Sequence, residues 1–251
     1  MFREKFTLAA LVLFLAFQPA AAPAITVSWD FTGGLDHNNF TYWTNSNVTL
    51  TDTGGDLRLT KPAIWYPGPG NPYVQGGMID AKFQVAGNFD IQVDYIINAT
   101  PLANGVQIQL DLLTSPYFAL VRSNEGGQNY HVWKDPPPGL HGGTSTSDNQ
   151  GTLRVVRSGS TATFYEKASG AQNWTQLYSD SGFGSQNIAF SLHGQDNYFV
   201  NPTAVAFDVS FDNLQVTAES LPNLVPLPSP LLLMGTGLLA LWGRRRRSRE
   251  K

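Results

Sequence analysis

Val106-Gln107-Ile108-Gln109-Leu110-Asp111-Leu112 alternates apolar and polar residues at every step. A strand points successive side chains to opposite faces, so this stretch has one dry face and one wet face. A helix would scatter the same residues around its whole circumference. The pattern recurs along the chain. Ile91, Val93 and Tyr95 alternate with Gln92 and Asp94, and Leu153 and Val155 flank Arg154. Val205, Phe207, Val209 and Phe211 alternate with Ala206, Asp208 and Ser210. Further strands are expected at 26–31, 48–51, 56–59, 81–85, 117–122, 130–134, 161–167, 175–178 and 187–193. Turn residues separate them: Gly54-Gly55, Gly87-Asn88, Glu125-Gly126-Gly127, Ser158-Gly159-Ser160 and Ser169-Gly170. No amphipathic helix is legible ahead of residue 225, and no repeat has a fixed period. The expectation is one all-β domain over 25–219, a large antiparallel β-sandwich. Two long segments, 61–77 and 134–149, read as irregular loops, and 220–224 reads as a linker.

Composition narrows the function. The 251 residues include no cysteine, which excludes thiol catalysis, Cys-based zinc sites and disulfides. Of 16 Lys and Arg, only eight lie between 25 and 224, against 17 Asp and Glu, so that span carries a formal charge of −9. An acidic surface of this kind argues against a nucleic-acid partner.

Both ends read as targeting segments. Residues 1–24 have a signal peptide's order: Arg3 and Lys5, an apolar run from Leu8 to Phe17, then small residues ending at Ala24. Cleavage by signal peptidase after Ala24 gives a mature start at Ile25. At the other end, 225–251 opens with Val225-Pro226-Leu227-Pro228-Ser229, an extended lead-in because proline fixes φ. An apolar run over 230–243 follows, then Arg244-Arg245-Arg246-Arg247. At ~1.5 Å per residue the run spans about 21 Å of helix, short of a ~30 Å bilayer core, which suits a transient anchor. The arginines place the end, 244–251, in the cytoplasm.

This tail resembles the PEP-CTERM sorting signal of Gram-negative bacteria. Leu227 stands where Glu is commonest, which resembles the Val-Pro-Leu-Pro variant of that family. The resemblance implies an inner-membrane-anchored precursor, processing by an exosortase-type membrane enzyme, and delivery to the cell surface or extracellular polysaccharide matrix. Within the domain, Gly151-Thr152-Leu153-Arg154-Val155-Val156-Arg157, Thr161-Ala162-Thr163-Phe164-Tyr165-Glu166 and the closing 209–216 resemble concanavalin A-like jelly rolls of laminin G or glucanase type. That implies a jelly-roll β-sandwich, flanked here by a signal helix and a transmembrane helix, with one sheet face that receives polysaccharide.

Glycoside hydrolysis needs two carboxylates about 5–5.5 Å or 6.5–9.5 Å apart. The jelly-roll glucanases set them on one strand as Glu-x-Asp-x-Glu or Glu-x-Asp-x-x-Glu. Here Glu125, Glu166 and Glu219 have no acidic partner at that spacing, and Asp208 and Asp212 are the nearest approach. No Gly-x-Ser-x-Gly elbow occurs, and His37, His131, His141 and His193 are scattered, so neither a serine hydrolase nor zinc is expected. His193 reads as a strand histidine and His141 as a solvated loop residue. No catalytic residue is therefore expected. Sugar binding uses exposed aromatics with amides and carboxylates beside them. The candidates are Trp65, Tyr66 and Tyr73 in the first long segment, and Tyr130 and Trp133, with Gln128 and Asn129, beside the second. Trp29, Trp43 and Trp174 are assigned to the core. Calcium wants six to eight oxygens, and Asp30, Asp212 and Asn213 would supply some of them if the chain ends pair, with Asp196-Asn197 as another source. Asp212-Asn213 reads equally as a β-bulge.

Overall fold

The alternating stretches form strands that pair into two antiparallel sheets. The structure is a computed structural model, and it describes residues 23–45, 47–52, 54–64, 74–99, 102–197 and 205–226. Among these there is no helix. The strands are β1 (Ile25–Trp29), β2 (Phe40–Thr44), β3 (Thr49–Thr51), β4 (Leu57–Lys61), β5 (Val74–Ala81), β6 (Ala86–Ile97), β7 (Val106–Leu113) and β8 (Tyr117–Asn124). They continue as β9 (Gln128–Asp135), β10 (Gly139–Ser145), β11 (Gln150–Ser158), β12 (Thr161–Ala168), β13 (Thr175–Asp180), β14 (Ala189–Asn197) and β15 (Phe207–Ser220). One sheet has eight strands in the order β13-β12-β11-β6-β15-β4-β3, with β1 also paired to β15. The other has seven, in the order β10-β9-β8-β7-β14-β5-β2.

The dry faces meet. On β7, Val106, Ile108, Leu110 and Leu112 are fully buried, and Ile91, Val93, Leu153 and Val155 are fully buried in the eight-stranded sheet. Each such side chain contributes about 1.5–3 kcal/mol on leaving water. Strand β15 pairs along one flank with β6, and along the other first with β4 and then with β1. The change of partner falls at a bulge between Asp212 and Gln215, with Asn213 at φ 50°. One inserted residue flips the pleat. The inward set therefore passes from odd numbers (Phe207, Val209, Phe211) to even ones (Leu214, Val216, Ala218) without losing the core.

Polar ties also cross the interior. Lys61 on β4 reaches Asp196 on β14 at 3.0 Å, both side chains almost wholly buried. The Tyr95 hydroxyl on β6 bonds the Tyr130 hydroxyl on β9, and Lys134 on β9 pairs with Asp180 on β13.

Three strands, β2, β5 and β10, depart from the sequence reading. Strands β5 and β10 lie in the stretches expected to be irregular, because paired glycines read as turns. In β5 those glycines permit close approach: a Cβ on Gly76 would stand 2.5 Å from the Gly194 carbonyl oxygen, and one on Gly77 2.7 Å from Leu59 Cδ2. In β10, Gly142 takes φ 64° at a bulge, and a Cβ there would meet the Leu177 carbonyl oxygen of β13 at 2.2 Å. The expected strand at 81–85 is reduced to the end of β5 and an isolated bridge between Val85 and Ile188. The expected turn at Gly87-Asn88 lies inside β6, opposite a break in its pairing with β15. The presumed linker is docked: Leu221 is buried, and the Gln84 amide donates to the Pro222 carbonyl at 2.9 Å. Asn39 holds the Val225 backbone at both ends, accepting from its N–H at 2.8 Å and donating to its carbonyl at 2.8 Å.

Candidate functional site

The wet face of the opening stretch, Gln107, Gln109 and Asp111, lies on the outer face of the seven-stranded sheet. Its neighbours follow from register. One cross-strand row runs Trp43, Met78, His193, Gln109, Val121, His131. Beside it runs Thr41, Asp80, Ser191, Asp111, Ala119, Trp133, Leu140. On the other side runs Gly76, Gln195, Gln107, Ser123, Asn129. Not one residue of these rows is Lys or Arg. A groove of about 360 Å³ opens over them, walled by Tyr117, Trp133, Leu140, Glu125 and Asn197. Its floor is recessed: Gln107 and Gln109 are buried despite facing outward.

The floor is a directed amide chain. Gln109 and Gln195 each donate Nε2 to Gln107 Oε1, and Gln107 donates its own Nε2 to Glu125 Oε1. Asn197 Nδ2 also donates to Glu125, at 3.3 Å. Gln109 and Gln195 each spend one N–H on Gln107 and offer a ligand their carbonyl oxygens and a second N–H. Burial pushes the Glu125 carboxyl above the usual carboxylate range, with Gln107 and Asn197 opposing.

His131 extends the same character. Its Nδ1 lies 2.8 Å from Asn129 Oδ1, which also accepts from Ser123 Oγ at 3.1 Å. The ring therefore carries its proton on Nδ1 and keeps Nε2 as an acceptor. Burial pushes the His131 pKa down to about 4. The sign of the effect on stability follows. Above the ordinary value of 6.5 the ring is neutral, folded or unfolded. Between 6.5 and about 4 only the unfolded chain takes the proton, so stability falls with pH at up to ~1.4 kcal/mol per unit. Relative to His131→Gln, the wild type should lose about 3 kcal/mol across that window, measured by urea unfolding at several pH values. Parallel curves for the two proteins would contradict the burial argument.

At the groove's side, Asp111 is covered. His193 Nδ1 stands 3.7 Å from Asp111 Oδ2, and burial, with the nearby Asp111 carboxylate adding to it, pushes the Tyr117 phenol up. Burial pushes the Asp80 carboxyl up as well; His193 opposes this and Asp111 adds to it.

No known protein family's profile matches the chain, and no curated protein matches it. Solved structures do. The GH43 protein BlXynB of Bacillus licheniformis is 14% identical with a TM-score of 0.57 over 76% of this chain, which spans only 39% of that protein. A glycosyl hydrolase family protein from Mycobacterium fortuitum is 14% identical with a TM-score of 0.54, covering 76% of this chain and 98% of that one. The VIP36 exoplasmic/lumenal domain in its Ca2+/Man2-bound form is 10% identical with a TM-score of 0.52, covering 81% and 90%. The fold is a jelly-roll β-sandwich. At such identities the likeness concerns fold alone.

Of the aromatics named from sequence, Trp133 lines the groove. Tyr130 does not. It is 1% exposed between the sheets, because its parity on β9 is opposite to that of Trp133, and its hydroxyl is used by Tyr95. Trp65, Tyr66 and Tyr73 lie outside the described residues, as do Leu227, Pro228, Ser229 and Arg244 to Arg247. Among the assigned core tryptophans, Trp29 is buried, but Trp43 is 54% exposed on β2. Trp174 packs on the outer face of the other sheet under Arg154 and Lys167, at 4.9 and 4.7 Å. His141 is a strand residue stacked on Tyr178. Register places Asp30 beside Asp212 and Asn213. Asp30 Oδ1 is occupied by Thr32, Asp212 Oδ1 by the Asn213 amide at 2.6 Å, and Asn213 Nδ2 donates to Asp94. Asp196 is spent on Lys61. Among the described residues no three His, Cys, Asp or Glu side chains form a group that could hold a metal ion. Sequence reasoning missed Gln107, Gln109, Gln195, Glu125 and His193. The signal was present: an outer face written in long amides rather than Lys, Glu or Thr.

Proposed function

We propose that this chain is an exported, non-catalytic glycan-binding protein whose site is the groove on the outer face of the seven-stranded sheet. The observation that carries the reading is the groove itself: a recessed floor of amides and acids beside an indole and a phenol. A pyranose has apolar faces and a hydroxyl rim, and this lining matches both. The presence of jelly-roll neighbours named as mannose-bound or as glycosyl hydrolases is consistent with it.

Hydrolysis is the second reading, and its support is thin. On β7 the outward positions hold two amides, one carboxylate and Leu113. Glu125 bonds Gln107, four residues from Asp111, or ~13 Å along the strand, too far for a catalytic pair. Asp208 belongs to the other sheet, bound to Arg58. Asp80 and Asp111 lie two strands, roughly 10 Å, apart at the backbone, whereas Asp94 and Asp212 are direct partners on the other sheet, where Asn213 bonds Asp94. Asp111 stands beside His193, 3.7 Å away, and no second carboxylate lines the groove next to it.

Export and sorting belong to the same proposal. Strand β1 begins at Ile25, so cleavage after Ala24 leaves it whole. Asn39 holds the backbone of Val225, the first residue of the sorting lead-in, against the domain. Intact mass measurement on the protein from its native cell should show species starting at Ile25 and ending within 226–229. A chain still ending at Lys251 would remove the sorting step.

The binding reading is tested by titrating the purified domain with a panel of neutral, amino and uronic oligosaccharides, while assaying reducing-end release. Saturable binding without release is expected. Release abolished by Asp111→Asn would install the hydrolase instead, and no binding to any member would end the glycan reading.

A further inference from the structure

Three consecutive positions of one cross-strand row carry buried oxygens with no hydrogen-bond partner: Asp80 Oδ1, Ser191 Oγ and Asp111 Oδ1. Ser191 is 0% and Asp111 2% exposed. An unpaired buried polar atom costs about 1–3 kcal/mol, more for a charged group, so three together mark a place prepared for something else. The row runs on into Ala119, Trp133 and Leu140, which line the groove. At its other end Asp80 is only half-buried, so the row opens to solvent there.

The missing partner must donate. Asp80 and Asp111 repel one another across Ser191, as the upward push of Asp111 on the Asp80 carboxyl records. His193, at 3.7 Å from Asp111, is the one basic side chain the three rows place against them. The groove beside the row adds acceptors: the Gln109 and Gln195 carbonyls, the Glu125 carboxyl and the neutral His131 ring. The three rows hold no Lys or Arg to neutralise an anionic sugar.

Building on the glycan-binding reading, we infer that the Asp80–Ser191–Asp111 row is a subsite for an amino sugar with a free ammonium group. An ammonium carries three N–H donors and a positive charge, matching three unpaired oxygens and two carboxylates. An N-acetylated sugar offers one N–H and no charge. A uronate adds a third carboxylate.

The test compares β-linked glucosamine oligomers, their N-acetylated counterparts, cello-oligosaccharides and oligouronates of equal length by calorimetry, at a pH where the amine is protonated. Glucosamine oligomers should bind at least about tenfold more tightly than the N-acetylated form, and oligouronates not measurably. In Asp80→Asn and Asp111→Asn that preference should fall toward unity. Thermal melts check that both variants fold, and the wild-type preference stands without them. Binding of glucosamine and N-acetylglucosamine oligomers with equal affinity overturns this inference and leaves the glycan reading intact. So does a preference unchanged in both variants, or calcium competing with the oligomer through these carboxylates. No binding to any oligomer overturns both.

Discussion

Asp196→Ala lowers the unfolding free energy by about 3–5 kcal/mol, the cost of leaving a buried ammonium unpaired. Lys61 projects inward from one sheet and Asp196 from the other, with side chains 0% and 1% exposed. Lys61 Nζ also donates to the Val205 carbonyl at 2.8 Å, and Asp196 keeps one oxygen, Oδ1, without a partner. Burial pushes the Asp196 carboxyl up in spite of the adjacent ammonium, so desolvation outweighs attraction at that group. Such a pair is costly to break and cheap to replace. The double change Lys61→Met with Asp196→Leu should recover most of the loss, bringing stability within about 1 kcal/mol of the wild type or above it. Chemical denaturation of the wild type and these two variants measures it. Equal losses in the double variant and Asp196→Ala would show that shape, not charge, holds the sheets there.

Trp133→Ala should weaken oligosaccharide binding by at least about tenfold with an unchanged melting temperature. Trp133 lies on the outer face, opposite Leu140 and next to Ala119, and is only half-buried. Its removal strips the groove of the large apolar surface on which a pyranose face would stack, while the core beneath loses nothing. Tyr130, three residues earlier, makes the contrast. Tyr130→Phe deletes the hydroxyl bonded to Tyr95 and should lower stability without touching affinity. A tenfold loss of binding from Tyr130→Phe, with none from Trp133→Ala, would place the ligand elsewhere.

Strand alternation made the sandwich legible, because period two survives wherever one face is buried. It failed where close packing demanded glycine. Gly76 and Gly77 in β5 and Gly142 in β10 read as loop residues, yet each is required by a neighbouring strand or sheet within 3 Å of a would-be Cβ. The groove was half-legible. Trp133 stood out as an aromatic, and Tyr130 stood out equally, because the sequence carries no mark of which parity on β9 faces inward. The amide floor went unseen since Gln107 and Gln109 look like ordinary wet-face residues until β14 delivers Gln195 beside them. The Asp80–Ser191–Asp111 row joins three strands distant in sequence, so only pairing reveals it. The 220–224 segment looked like a linker because Pro222 and Asn223 suggest one, whereas Leu221 anchors it to the core.

The central claim is that ligand meets the outer face of the seven-stranded sheet. Amide chemical-shift mapping tests it most directly, with the side-chain NH2 signals of Gln107, Gln109 and Gln195 and the Trp133 indole as reporters. On addition of glucosamine oligomer, or of whichever panel glycan binds best, those signals and the backbone amides of β7, β8, β9 and β14 should move together with one dissociation constant. Shifts confined to the other sheet, around Asp94, Thr152 and Asp212, would contradict the account.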